Sequence, residues 1–121
     1  MDKIFITLTG TQYYFGNTFL EPGMKLKLIK EPDNEYDKEA IMVTIKGLGK
    51  IGYVANSPYT VLGDCMSAGR LYDKIGDKAK AKVMMVTSIG VICKVRKKDL
   101  LGYETPEEHE LDGEEIEEAD R

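Results

Sequence analysis

Met24–Val43 reads MKLKLIKEPDNEYDKEAIMV, and this stretch decides the fold. Met24, Leu26 and Leu28 alternate with Lys25 and Lys27, the period-two pattern of a half-buried strand with its lysines turned outward. Lys30 extends that basic ridge. Glu31 precedes Pro32 and is restricted to extended geometry, while Asp33 and Asn34 have side chains that cap turns. Ala40 to Ile45 then opens a second strand. The reading is strand, tight turn, strand, with Tyr36 and Asp37 at the strand mouth, where a rigid scaffold holds side chains open to solvent.

Working outward, Lys3 to Thr9 alternates Ile4, Ile6 and Leu8 and predicts a first strand ending at Gly10. Tyr13, Tyr14 and Phe15 follow; three consecutive rings on an extended chain cannot share one core, so at least one is expected at the surface. Pro22-Gly23 closes a loop ahead of the Met24 to Leu28 strand. Downstream, Lys46 to Gly49 predicts a hairpin loop and Lys50 to Val54 a strand, in which Gly52 signals a bulge or a close backbone approach. Ser57-Pro58 predicts a helix start, with Val61, Leu62, Cys65, Met66 and Gly69 as its apolar stripe and Arg70 to Ile75 as one further turn. Ala79 to Ser88 and Val91 to Arg96 complete six strands, and Lys78, Lys80 and Lys82 form a second basic strand face. Six short strands with the principal helix placed late predict a mainly β fold, an OB-like six-stranded antiparallel barrel with one or two short helices.

The 121 residues carry a formal charge of −4 that averages two unlike parts. Residues 1–98 hold 16 Lys and Arg against 10 Asp and Glu, a net of +6, and residues 99–121 hold one Arg against 11 acids, a net of −10. The expected organisation is a basic barrel domain over 1–98 and an acidic, disordered tail over 99–121, with at most a fraying helix near Glu114 to Ala119. The sequence shows no signal peptide and no apolar run long enough to span a membrane, so a soluble, cytoplasmic protein without membrane contact is expected. Cys65 and Cys93 lack close Cys or His partners and read as small core hydrophobes.

No cofactor or metal is expected. Glu31, Asp33, Glu35, Asp37 and Glu39 alternate as calcium ligands do, but Lys38 stands where the loop's glycine is needed and Thr44 where its last carboxylate belongs. His109, in the acidic tail, is the single histidine, and no nucleophile motif or phosphate loop accompanies it, so enzymatic activity is not expected. Basic ridges and exposed rings instead suit single-stranded nucleic acid, whose bases stack on aromatic platforms while lysines follow the backbone.

Gly10–Gly16 (GTQYYFG), Pro22–Val43 (PGMKLKLIKEPDNEYDKEAIMV) and Gly49–Val54 (GKIGYV) together resemble the HIRAN domain family in order, spacing and residue type, over roughly Ile4 to Arg96. The family occurs attached to DNA-remodelling enzymes and as small stand-alone bacterial proteins. The resemblance implies a module that captures the 3′-hydroxyl end of single-stranded DNA, with a DNA-processing protein as a further partner. It implies that Tyr13 and Tyr36 stack on terminal bases, that Asp37 accepts a hydrogen bond from the terminal hydroxyl, and that Asn34 with nearby backbone holds the end. Gln12, Tyr14, Lys25, Lys27, Asp33 and Tyr53 complete the candidate nucleic-acid-binding set. Gln12 stands where a DNA-binding relative has arginine, and Ala55 and Asn56 where it is basic, which predicts fewer phosphate contacts and a flatter salt dependence. The other class of reading is a protein or peptide interaction module of the same fold, with the acidic tail folding back as one ligand.

Overall fold

The computed structural model describes residues 3–104. Six strands, β1 (Phe5–Thr9), β2 (Lys25–Lys30), β3 (Ile41–Ile45), β4 (Gly49–Val54), β5 (Lys78–Thr87) and β6 (Gly90–Val95), close a barrel in the order β1-β4-β3-β2-β5-β6. Every pairing is antiparallel. Closure leaves no unpaired edge, which an open sheet of these lengths would expose.

Alternation builds the core as the sequence predicts. Ile6, Leu8, Leu26, Leu28, Val43, Ile51, Val83, Val91, Cys93 and Val95 are all buried. The small residues Ala79 and Ala81 on β5 pair with Leu28 and Leu26 on the adjacent β2, so small residues sit beside large ones on the interior wall. Gly52 is required by close approach: a Cβ there would lie 2.6 Å from the Thr9 carbonyl oxygen and 2.8 Å from a Leu8 methyl. Its neighbourhood also contains the register shift between Val43 and Thr44 that lets β3 and β4 bend together.

The late helix differs from expectation. Among the described residues the single α-helix, α1, spans Ala68–Tyr72 and begins at Ser67, whose hydroxyl accepts from the Arg70 amide. Ser57 instead starts one isolated turn, its carbonyl accepting from Thr60 and Val61. The turn cannot propagate because later amides are taken elsewhere: Leu62 N–H donates to Thr7 Oγ1 at 3.0 Å and Met66 N–H to the Phe5 carbonyl at 2.7 Å. Gly63 has φ 52°, a left-handed value that ends any helical run. Residues 57–66 therefore run as a loop pinned to β1, and Cys65 is half-buried on it, while Cys93 is fully buried on β6.

The packed chain also extends past position 98. A 3-10 turn over Lys97–Asp99 follows β6, Leu100 is only 5% exposed, and it bridges to Ile75. The expected disorder, the expected fraying helix and His109 lie outside the described residues.

Candidate nucleic-acid interface

The loop from Glu31 to Ala40 is tied off at its base by the Glu31 amide donating to the Ala40 carbonyl, 2.8 Å. Asn34 shapes its interior. The Asn34 Oδ1 accepts from the amides of Tyr36 and Asp37, each at 2.9 Å, and its Nδ2 donates to Glu31 Oε1 at 3.0 Å. This is the turn chemistry for which asparagine is suited. Asn34 thus supports the loop with all of its amide groups, and the ring of Tyr36 projects into solvent, 91% exposed. Asp33 is exposed on the same loop.

Asp37 is held from two sides. Its Oδ1 accepts from the Glu39 amide at 2.9 Å and its Oδ2 from Asn56 Nδ2 at 2.8 Å. Asn56 in turn accepts from the Gly69 amide at 2.7 Å, so the carboxylate is fastened to the start of α1. Two oxygens offer about four lone-pair sites, which leaves capacity for a further donor.

Tyr13 and Tyr14 sit on a 3-10 turn, Thr11–Tyr13, entered through Gly10 with φ 76° and left through Gly16 with φ 73°. Both glycines adopt left-handed backbone that a Cβ disfavours. Thr11 is buried at the base and bonds to Asn17. The three rings that follow are all exposed, Tyr13 most of all at 79%.

Tyr53 is a cross-link through its hydroxyl. Its hydroxyl donates to Glu31 Oε1 at 2.7 Å and accepts from Lys50 Nζ at 2.8 Å, and Lys50 lies 3.2 Å from Glu31 Oε2. The Lys50 ammonium also stands 5.9 Å from the centre of the Tyr14 ring. One network thereby joins the loop, β4 and the Tyr13–Tyr14 turn. Burial acts most strongly on the Glu31 carboxyl and pushes it up, yet the bonds from Tyr53, Asn34 and Lys50 outweigh it and hold the group below its ordinary value. Lys50 is pushed up, chiefly by its bond to Tyr53, and Tyr53 is pushed up, chiefly by burial.

Lys25 and Lys27 lie on the outer face of β2, where Lys27 faces Thr44 and Thr44 faces Lys50 across successive strands. Lys27 is therefore about 10 Å from Lys50 along that row. Lys30 leaves the expected ridge: its Nζ donates to the Ile75 carbonyl at 2.8 Å and lies 4.2 Å from the Tyr72 ring centre. Gln12 is exposed and lines an open cleft of about 390 Å³ between the 3-10 turn and the β5–β6 hairpin, which neither Tyr13, Tyr36, Asp37 nor Tyr53 lines. Among the described residues no three His, Cys, Asp or Glu side chains are grouped to hold a metal ion, and no helix is long and apolar enough to cross a membrane.

Sequence reading missed the structural roles of Glu31 and Asn56. Glu31 carries a local signal, a carboxylate before Pro-Asp-Asn, but its partners Tyr53 and Lys50 come from another strand. Asn56 reads as a helix approach and has no local signal for Asp37, 19 residues away.

Comparison with known proteins agrees with this architecture. A crystal structure of a protein from Lactobacillus plantarum is similar with a TM-score of 0.53 and 24% identity, covering 78% of this chain and 93% of that one. The crystal structure of the HIRAN domain of human HLTF is similar with a TM-score of 0.52 and 18% identity, covering 77% of this chain and 74% of that one. No curated protein matches the chain. The family model described as HIRAN domain matches residues 1–87, and with the barrel and the tyrosine-bearing loop in place, the chain belongs to the HIRAN domain family, a family of nucleic-acid-binding modules.

Proposed function

We propose that the protein captures the 3′-hydroxyl end of single-stranded DNA at the surface formed by Tyr13, Tyr36 and Asp37. The observation that carries this reading is that two solvent-projecting rings, 79% and 91% exposed, and a carboxylate fixed by Glu39 and Asn56 stand on two segments that the Lys50–Tyr53–Glu31 network joins. Exposed rings stack on bases without regard to sequence. A fixed carboxylate accepts a hydroxyl donor and repels a terminal phosphate, so the surface reads the chemistry of the strand end. Asn34 and Tyr53 act as supports, one shaping the loop and the other joining it to β4.

Lys50 is partly neutralised by Glu31, which leaves the row through Lys27 as the basic approach. No chemistry is performed on the strand; the module binds and presents it. Fluorescence anisotropy with short labelled oligonucleotides ending in a 3′-hydroxyl or a 3′-phosphate tests the reading. Tighter binding of the hydroxyl end is expected, with Asp37→Ala abolishing the difference. Equal binding of both ends overturns end capture, and binding of neither at low salt shifts the surface to a protein or peptide ligand.

A further inference from the structure

The most exposed aromatic ring among the described residues belongs neither to the Glu31–Ala40 loop nor to the Tyr13 turn. Tyr59 is 95% exposed, against 91% for Tyr36 and 79% for Tyr13. A ring so far out of the core adds nothing to its packing, so the fold gives no reason for an aromatic residue at this position.

The backbone beneath the ring is fixed. Thr7 is fully buried; its carbonyl accepts from the Ala55 amide at 2.8 Å and its hydroxyl from the Leu62 amide at 3.0 Å, which clasps the loop over 56–61 at both ends. Inside the loop the Ser57 carbonyl accepts from the Thr60 and Val61 amides at 2.9 and 3.0 Å, and Ser57 Oγ accepts from the Tyr59 amide at 3.1 Å. Pro58 locks its own φ. A ring carried on so constrained a turn meets a ligand at little cost in ordering.

The same loop begins at the residue that holds Asp37. Asn56 donates to Asp37 Oδ2 at 2.8 Å and accepts from the Gly69 amide at 2.7 Å. Tyr59 follows Asn56 by three residues, at most about 11 Å along the chain. Three stacked nucleotides advance about 10 Å along a strand. Residues 56–63 contain no Asp or Glu, so the loop sets no carboxylate of its own against the phosphates.

We propose that Tyr59 is a third stacking platform, taking a base about three nucleotides inward from a 3′ end held at Asp37. The inference rests on the end-capture reading above and gives it a direction, with the strand leaving Asp37 past Asn56 and over the 56–61 loop. Stacking on an uncharged ring releases no counterions, so this contact contributes equally at low and high salt.

The test uses the full-length protein and short labelled oligothymidylates ending in a 3′-hydroxyl, read by fluorescence anisotropy. In Tyr59→Ala affinity is expected to fall roughly 5- to 150-fold, by the same factor at low and high salt, while Tyr59→Phe binds as the native protein does. The thermal transition of both variants stays where it is, because the ring is exposed. Oligonucleotides lacking one base at a time locate the contact. Removing the third or fourth base from the 3′ end weakens binding to the native protein and leaves Tyr59→Ala unaffected, and Tyr59→Ala keeps the preference for a 3′-hydroxyl over a 3′-phosphate. Unchanged affinity in Tyr59→Ala, with that preference intact in the native protein, overturns the platform and leaves end capture standing. A Tyr59-dependent penalty at the terminal base, or a loss that vanishes at high salt, overturns it too. A native protein that shows no preference between the two ends defeats end capture itself, and the inward platform falls with it. Binding of no oligonucleotide at low salt overturns both and leaves the ring to a protein or peptide ligand.

Discussion

At the tyrosine surface the central lysine meets a carboxylate, Lys50 Nζ lying 3.2 Å from Glu31, whereas on β2, β5 and β6 lysine stands opposite lysine. The first arrangement is closed on itself. Tyr53, Glu31, Lys50 and Asn34 satisfy one another, and what they leave open are rings and one carboxylate edge, the groups on which the proposed end capture rests. The second arrangement sets like charges side by side on neighbouring strands. If end capture is the function, as proposed, selectivity belongs to the first region and electrostatic attraction to the second, and variants on the two regions differ in what they change.

The largest effect is expected from the rings. Tyr36→Ala and Tyr13→Ala each remove a stacking platform worth about 1–3 kcal/mol per base, a loss of roughly 5- to 150-fold in affinity for single-stranded DNA. Because these rings are exposed, the thermal midpoint stays where it is, and the slope of log affinity against log salt also stays unchanged. Anisotropy titrations at several salt concentrations, with a melting curve for each variant, check both halves. A changed salt slope in Tyr36→Ala contradicts the division between the two regions.

Asn34→Ala couples stability to binding at the same surface. It strips the Tyr36 and Asp37 amides of their acceptor and Glu31 of a donor, so folding stability falls by about 1–2 kcal/mol. Binding falls with it, since Tyr36 and Asp37 lose the support that aims them. Urea denaturation measured beside anisotropy distinguishes this support from the pure contact role of Tyr36.

The difference between the regions also explains which parts of the molecule could be read from the sequence. Strand alternation is local, so Leu26, Leu28, Ala79 and Ala81 declared the barrel wall and its lysine face without knowledge of their partners. The Pro32-Asp33-Asn34 turn is local too. The helix expected from Ser57 was not formed because the amides of Leu62 and Met66 bond to Thr7 and Phe5, residues distant in sequence. Lys30 was misplaced for the same reason, its ammonium being drawn to Ile75 and Tyr72, more than 40 residues away in sequence. Gly52 announced a close approach, but only the fold shows that the Thr9 carbonyl makes it. The candidate rings were legible as exposed residues, while their supports Glu31 and Asn56 depend on pairings that only closure creates.

The Tyr53–Glu31–Lys50 network gives a smaller effect with a pH signature. Tyr53→Phe removes the hydroxyl that donates to Glu31 and accepts from Lys50, lowering stability by about 1 kcal/mol. Glu31 is held below its ordinary value of 4.5. Its contribution is therefore complete above that ordinary value and disappears as pH falls through the lower folded-state value. Lys50 is raised above 10.5, so its contribution is complete below that value and is lost as pH rises through the folded-state one. Urea midpoints of the native protein and Glu31→Gln should differ at neutral pH and converge in acid.

Lys27→Ala is the converse of Tyr36→Ala and carries the smallest change in folding free energy. Lys27 is exposed and sits opposite Lys80, so its removal relieves a like-charge pair and raises stability by about 0.2–1 kcal/mol at low salt. If Lys27 meets one phosphate, single-strand affinity falls at low salt and the salt slope flattens by about 0.7, the increment for one contact on a single strand. Preference for the 3′-hydroxyl over the 3′-phosphate is unaffected, because Asp37 and its supports are untouched. Loss of that preference in Lys27→Ala makes the lysine row part of the end-reading surface, and the separation of selectivity from attraction then fails.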